Sequence, residues 1–322
     1  MVRAYVARRL LQGLLVVLVV VSLMFVLFRV MPADPTAMLV YRGMPDEAAQ
    51  RLLEQWGLTG SLFEQYVRYL GNLLQLDFGT SFFYNQPVFD VLGPRVLNTL
   101  VIAIPGTLLG ATIGAIVGMV IGWRRGSATE RSGIVAATFI RGTPSFVLGI
   151  LLLMIFSSWL GWFPASGMAS VGEGSADLDR FLSLDFLHHL ALPLLAMTIF
   201  FIPENLLLMR TAVVEQRSED YIELVAAKGV RERRVRWHAA RNSLLPSVTW
   251  LFAELAETVA GIIIIEIVFS WPGVGRELVL AVSRLDFPVA QAAFFLSALM
   301  IVIANLLADL SYGYLDPRVV LE

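Results

Sequence analysis

The sequence predicts an all-α integral membrane protein with six transmembrane helices and both termini in the cytoplasm. Three observations carry that reading. Of 322 residues, 57% are hydrophobic and 16% charged, against about 45–50% apolar and about 25% charged in a soluble domain. Six stretches, 10–30, 96–123, 133–163, 187–209, 247–269 and 289–311, are apolar and long enough to cross about 30 Å of hydrocarbon. Loops on the side of the two termini hold 15 basic residues and the opposite loops hold 7; positive charge marks the cytoplasmic face.

The same arithmetic excludes function classes. A net charge of −2 speaks against a nucleic-acid partner, and the apolar excess against a disordered chain or an ordinary cytosolic enzyme. With no cysteine there is no disulfide, no Cys-ligated metal and no thiol nucleophile. Lys228 is the only lysine and Gly229 follows it, so no Walker A loop exists. If ATP drives this protein, another chain binds it, and this chain binds no cofactor.

Taken in order, Arg8 and Arg9 precede the first span, whose apolar run is too long for a signal peptide; MPADP after it is no small-residue cleavage site. It reads as a retained helix, so residues 1–30 form one unit. Residues 31–95 form an external loop. Within it Leu62, Phe63, Tyr66, Val67, Leu70, Leu73 and Leu74 recur at helical spacing, and Gly79, Pro87 and Pro94 are expected to break up the remainder of the loop. Residues 96–322 hold the remaining five spans. Pro105, Pro144 and Pro193 permit kinks in them. The external loop 163–186, with Gly167, Gly172 and Gly174, reads as mobile. No internal repeat is evident, which weighs against inverted-repeat transporters.

The cytoplasmic loop 210–246 is the most charged segment. Helix formers run from Thr211 to Ala227, Gly229 interrupts, and a second run from Arg231 is expected to end at Pro246. Arg231, Arg233, Arg234, Arg236 and Arg241 surround the interruption. Such a basic patch can attract anionic lipid. The small residues Ala226, Ala227 and Gly229 instead favour close fit into a groove on another protein.

Here the chain resembles a known family. Glu223 stands six residues before Gly229, as in the "EAA" loop of ABC importer permeases, although Leu224 and Val225 replace its two alanines. The string AAKGV and the late Leu245-Pro246 ending are similar to the dipeptide, oligopeptide and nickel subfamily. So are YVARRLLQ, QYVRYLGNLLQLDFGTSF, PRVLNTL, TPSFVLGILLL, HLALPLLA and VFSWPGVGRELVLAV, with DFPVAQ and DPR after it. The resemblance spans almost the whole chain and matches the first of two permease subunits. It implies the type I ABC importer permease fold in the plasma membrane, multi-pass, with Glu223, Ala226, Ala227, Lys228 and Gly229 coupling to the ATPases. It implies as partners a second homologous permease, two ABC ATPase subunits carrying ATP and Mg, and an extracytoplasmic substrate-binding protein, besides membrane lipid. The implied cargo is di- or oligopeptides. Nickel chelates remain the alternative within the family, and a free-standing secondary transporter or channel the alternative outside it.

Membrane carboxylates supply candidate path residues, because ionisable groups in a bilayer face protein or water. Glu254 and Glu257 lie about 10 and about 15 Å beyond Ser247 along a helix and share a face. With Asn205 they are read as lining the path, or else as bracing a helix interface. Glu266 is expected to fix the break after the fifth span. Glu204 is expected to pair with Arg210, and Arg141 and Arg29 to act as anchors. Asn305 and Asp309, four apart, form a structural pair. Trp271, Pro272 and Gly273 form the break, read as an outer gate on the resemblance, with Trp271 alternatively in the aromatic belt. His188 and His189 lie across the membrane from His238, so they share no metal.

Overall fold

The computed structural model describes residues 2–30, 59–170 and 181–315, and every regular element among them is helical. In chain order these are α1 (Val2–Val30), α2 (Leu62–Leu74), α3 (Val88–Trp123), α4 (Ala128–Arg141), α5 (Ser145–Leu152), which runs on as a π-helix (Leu153–Trp159), α6 (Leu184–Arg217), α7 (Asp220–Ala227), α8 (Glu232–Gly261), α9 (Ile263–Val268), α10 (Val274–Ser283) and α11 (Phe287–Leu315). The MPADP and DPR strings, Gly172 and Gly174 lie outside the described residues.

Among the described residues four helices, α1, α3, α6 and α11, are long and apolar enough to cross a membrane, and α4 with α5 and its π-helical continuation makes a fifth if the bent pair is one span. That pair occupies the expected third span, 133–163, and bends where Pro144 permits a kink. It turns by 100° at Gly142-Thr143-Pro144, where Pro144 caps α5 in an extended conformation. Two other expected breaks do not occur. Pro94 sits inside α3 and Pro246 inside α8.

The centre of the fold is the pairing of α3 with α6. Gly106, Gly110, Gly114, Gly118 and Gly122 recur every four residues, so they line one stripe of α3. A Cβ on any of them would come within 3.0 Å of an atom of α6. The two backbones approach as closely as small residues allow in membrane helix pairs. Buried hydroxyls and amides pin α8 against this pair. Asn205 donates to the Ala111 carbonyl (2.7 Å) and accepts from Ser247 (2.8 Å), and Thr107 meets Thr258 (3.0 Å).

At the periphery α1 packs on α11, with Gly13 against Val302 and an Arg9–Asp309 ion pair of 2.9 Å. Asp309 therefore bonds across helices, while Asn305 donates to the Ile301 carbonyl of its own helix. The α2 helix forms as its spacing predicts. Ser61 and Glu64 close a reciprocal N-terminal capping box, and Tyr66 reaches Ser22 of α1 at 2.6 Å. The part of the 163–186 loop that is described is tied down. Gly167 donates to the Phe269 carbonyl (3.0 Å), and Ser170 donates twice to Asp185 (2.7 and 2.8 Å).

Candidate functional site

Three regions carry the predicted residues. The first is the elbow between α7 and α8. Its underside is a small core in which Ile222, Val235 and Ala239 pack with Trp123 at the end of α3. Trp123 is gripped further: the Arg217 and Arg236 guanidiniums lie 5.3 and 5.7 Å from its ring, and its indole donates to Glu232 at 3.3 Å. Hydrogen bonds from Arg236 and from that indole hold the Glu232 carboxyl below the usual carboxylate range. Behind it, a Glu130–Arg210 ion pair ties α4 to α6.

The upper side is bare. Glu223, Leu224, Ala226, Ala227, Lys228 and Gly229 are all exposed, Leu224 by 58%. Gly229 donates to the Ala226 carbonyl (3.0 Å) and has φ +73°. That is the left-handed conformation in which glycine ends a helix without strain, and a Cβ there would touch nothing within 4 Å. A packed base thus presents an exposed tip with the small residues Ala226, Ala227 and Gly229, uncovered among the described residues.

The second region holds the membrane carboxylates. Glu254 is half-buried and Glu257 exposed, and the charged neighbours of Glu254 are Glu257 and Glu204. Sequence spacing brings the first two together; Glu204 joins them only through the fold. One expectation is corrected. Glu204 pairs with Arg141 at 2.9 Å, not with Arg210, because the bend after α4 swings Arg141 onto α6 while Arg210 faces Glu130. Asn205 is 1% exposed and spends both ends of its amide on α3 and α8, so in this subunit it braces helices.

The third region is the outer break. Trp271 is fully buried, so it is no aromatic-belt anchor. Its indole donates to the Asn98 carbonyl (2.8 Å), and the Asn98 amide donates back to the Pro272 carbonyl (2.8 Å). Glu266 is fully buried beneath it. One carboxylate oxygen accepts from Thr99 (2.6 Å) and the other from the backbone N–H of Arg276 (2.7 Å), while the Val274 N–H donates to Thr99 (2.9 Å). A Cβ on Gly273 would overlap the Glu266 carboxyl. Glu266 therefore fixes the break, as its position suggested. Sequence reading missed the partners Asn98 and Thr99, although PRVLNTL contains both.

Comparison with known proteins gives a consistent result. Residues 110–321 match the family "Binding-protein-dependent transport system inner membrane component", and residues 1–103 match the N-terminal part of such membrane components. The chain is 32% identical over 319 residues to the oligopeptide transport system permease protein AppB of Bacillus subtilis, covering 98% of this chain and 99% of that one. It is 32% identical over 332 residues to the di/tripeptide transport system permease protein DppB of Pseudomonas aeruginosa, with 98% of each covered. It is also 32% identical over 316 residues to the glutathione transport system permease protein GsiC of Salmonella paratyphi A, with 98% of each covered.

Proposed function

The chain belongs to the family of inner membrane components of binding-protein-dependent transport systems, and from that premise we propose that it is a permease subunit of an ATP-driven peptide importer. The relatives named for oligopeptide, di/tripeptide and glutathione transport support a short-peptide cargo. In this reading the chain crosses the membrane six times with both termini inside, α8 and α9 supplying the fifth crossing in chain order. Residues 1–30 and the external loop 31–95 flank a core, 96–322, that carries the cytoplasmic loop 210–246. A second related permease completes the path. Two ATPase subunits bind ATP and Mg, an extracytoplasmic binding protein delivers the peptide, and lipid surrounds the whole.

The observation that carries the proposal is the elbow. Lipid attraction needs only charge, whereas this elbow has a packed base, a left-handed Gly229 and a tip of Ala226 and Ala227. Those features suit insertion into a cleft of an ATPase. When ATP closes the ATPases, the elbow would be driven sideways. Because Trp123 and Ile222 join it to α3 and α8, the displacement passes directly into membrane helices. Glu254 and Glu257 would line the path and meet a peptide's ammonium or amide groups, and residues 271–273 would close its outer mouth.

Ala227→Trp tests this. The residue is exposed, so the variant should fold and pair with the second permease at wild-type yield. The purified complex should lose its ATPase subunits, or lose substrate-stimulated hydrolysis by at least about tenfold. Full assembly with full transport would overturn the docking role. So would a larger loss from neutralising Arg231, Arg233 and Arg234 than from Ala227→Trp, the result lipid attraction demands.

A further inference from the structure

The helix after the outer break, α10, is held at three places along its length. Its start is fixed by the Glu266, Thr99 and Asn98 hydrogen bonds. At its middle, buried Glu277 pairs with Arg95 of α3 at 3.1 Å. Beyond its end lies Asp286, a carboxylate only 1% exposed, in the turn where Leu285 adopts φ +57°.

Asp286 does not serve its own helices alone. Its side chain accepts from the Ser81 hydroxyl (2.5 Å) and from the backbone N–H groups of Phe82 (3.0 Å) and Phe83 (3.2 Å). These belong to a tight external hairpin, closed by a Thr80–Pro87 bridge and by Ser81 N–H to the Gln86 carbonyl at 3.0 Å. The Ser81 oxygen also accepts from the Tyr84 N–H at 2.9 Å, so one hydroxyl organises the hairpin and hands it to Asp286. Next to it the Arg284 guanidinium lies 4.0 Å from the Phe83 ring and donates to the Tyr84 hydroxyl at 3.1 Å. The hairpin leads straight into α3 at Val88.

A gate that swings alone would have to break these bonds each cycle. Freeing Asp286 strands a buried carboxylate and two backbone donors, and freeing Glu266 strands another carboxylate, a hydroxyl and an amide. Buried polar groups left without partners are the costliest kind of lost hydrogen bond. We infer that α10 does not hinge: it moves as one body with the outer half of α3 and the 77–87 hairpin, and Asp286 is the positioning residue that joins them. The inference rests on reading 271–273 as the outer gate.

The absence of native cysteine permits a test in the complete complex, reconstituted in proteoliposomes with its partners. Asp286→Ala leaves the Ser81 hydroxyl and two backbone donors unpaired, so it is read per assembled complex: basal ATP hydrolysis should stay at the parent level while peptide transport falls about tenfold. The pair Ser81→Cys with Asp286→Cys lacks the same clamp when reduced, and its disulfide replaces the clamp covalently. Formed during growth and assayed before and after dithiothreitol, the oxidised pair should transport at half the parent rate or better, and reduction should lower this about fivefold or more. The inference is overturned if the disulfide blocks transport and reduction restores it, since α10 then swings free of the hairpin. It is equally overturned if the reduced pair, or Asp286→Ala, transports like the parent. Failure of the gate reading shows elsewhere: a cysteine at exposed Val279 of α10 would label with an impermeant maleimide at the same rate in resting and ATP-trapped complexes.

Discussion

The elbow at Gly229 and the break at Gly273 are both glycine-marked interruptions between helices, yet they are built in opposite ways. At Gly229 the backbone demands glycine and the surroundings are empty; at Gly273 the backbone is ordinary (φ −95°) and the surroundings are full. The first is packed from below and bare above, as the proposed docking on another molecule requires. The second is a finished joint whose polar atoms are paired within the chain. A contact made and released with a partner leaves unused surface in a single subunit, whereas a part that transmits motion inside the subunit leaves none.

The largest effect should come from filling the crowded glycine. Gly273→Ala puts a methyl group into the Glu266 carboxyl, which Thr99 and the Arg276 amide hold in place. Overpacking costs about 1–3 kcal/mol in a yielding core, and this site has little room to yield. The variant should give almost no assembled complex, measured as the yield of monodisperse complex after solubilisation. Wild-type yield would mean the joint is softer than its hydrogen bonds suggest.

How far these two sites are legible in the sequence differs for the same reason. The elbow lies in local residues, where Gly229 marks a helix interruption and the Glu223-to-Gly229 spacing carries the family resemblance. The α2 helix is readable likewise from its periodicity. The joint depends on residues far apart in the chain: Glu266 can be seen to fix something, but Thr99 lies 167 positions away and no periodicity links them. Sequence distance alone matches Glu204 to Arg210, and the bend at Gly142–Pro144 supplies Arg141 instead. Asn205 has the composition of a path residue and the environment of a brace. The five-glycine stripe on α3 is the reverse case, a signal present in plain spacing that identifies the tightest helix pair in the fold.

An intermediate effect is expected at Glu257, which belongs to neither extreme. It is exposed on a single subunit, yet a carboxylate at bilayer depth does not face lipid without a cost of several kcal/mol. At such a depth it would be protonated, paired or in water. If it lines the path, Glu257→Gln should leave complex yield and basal hydrolysis intact and change the transport rate or peptide preference about three- to tenfold. Glu254→Gln, half-buried one turn away, should do the same more weakly. If instead Glu257 joins the subunits as Glu266 joins helices, Gln should be silent and Glu257→Leu should lower complex yield. Unchanged transport by a well-assembled Glu257→Leu complex would remove both roles.

The smallest expected effect sharpens the comparison most. Gly229→Ala adds the same methyl group as Gly273→Ala, but here it meets nothing within 4 Å. The only cost is conformational, about 1–2 kcal/mol for an L-residue at φ +73°. Asn tolerates that region better than Ala, so Gly229→Asn should cost less although its side chain is larger. Assembly of the two permeases should be unaffected in both. Substrate-stimulated ATP hydrolysis should fall a few-fold in Gly229→Ala and less in Gly229→Asn, because some ATPase contact energy is spent restoring the turn. The opposite order, with Asn worse than Ala, would mean that the elbow is already crowded in the assembled transporter. Volume rather than backbone conformation would then be what Gly229 supplies, and the two glycines would differ only in which molecule does the crowding.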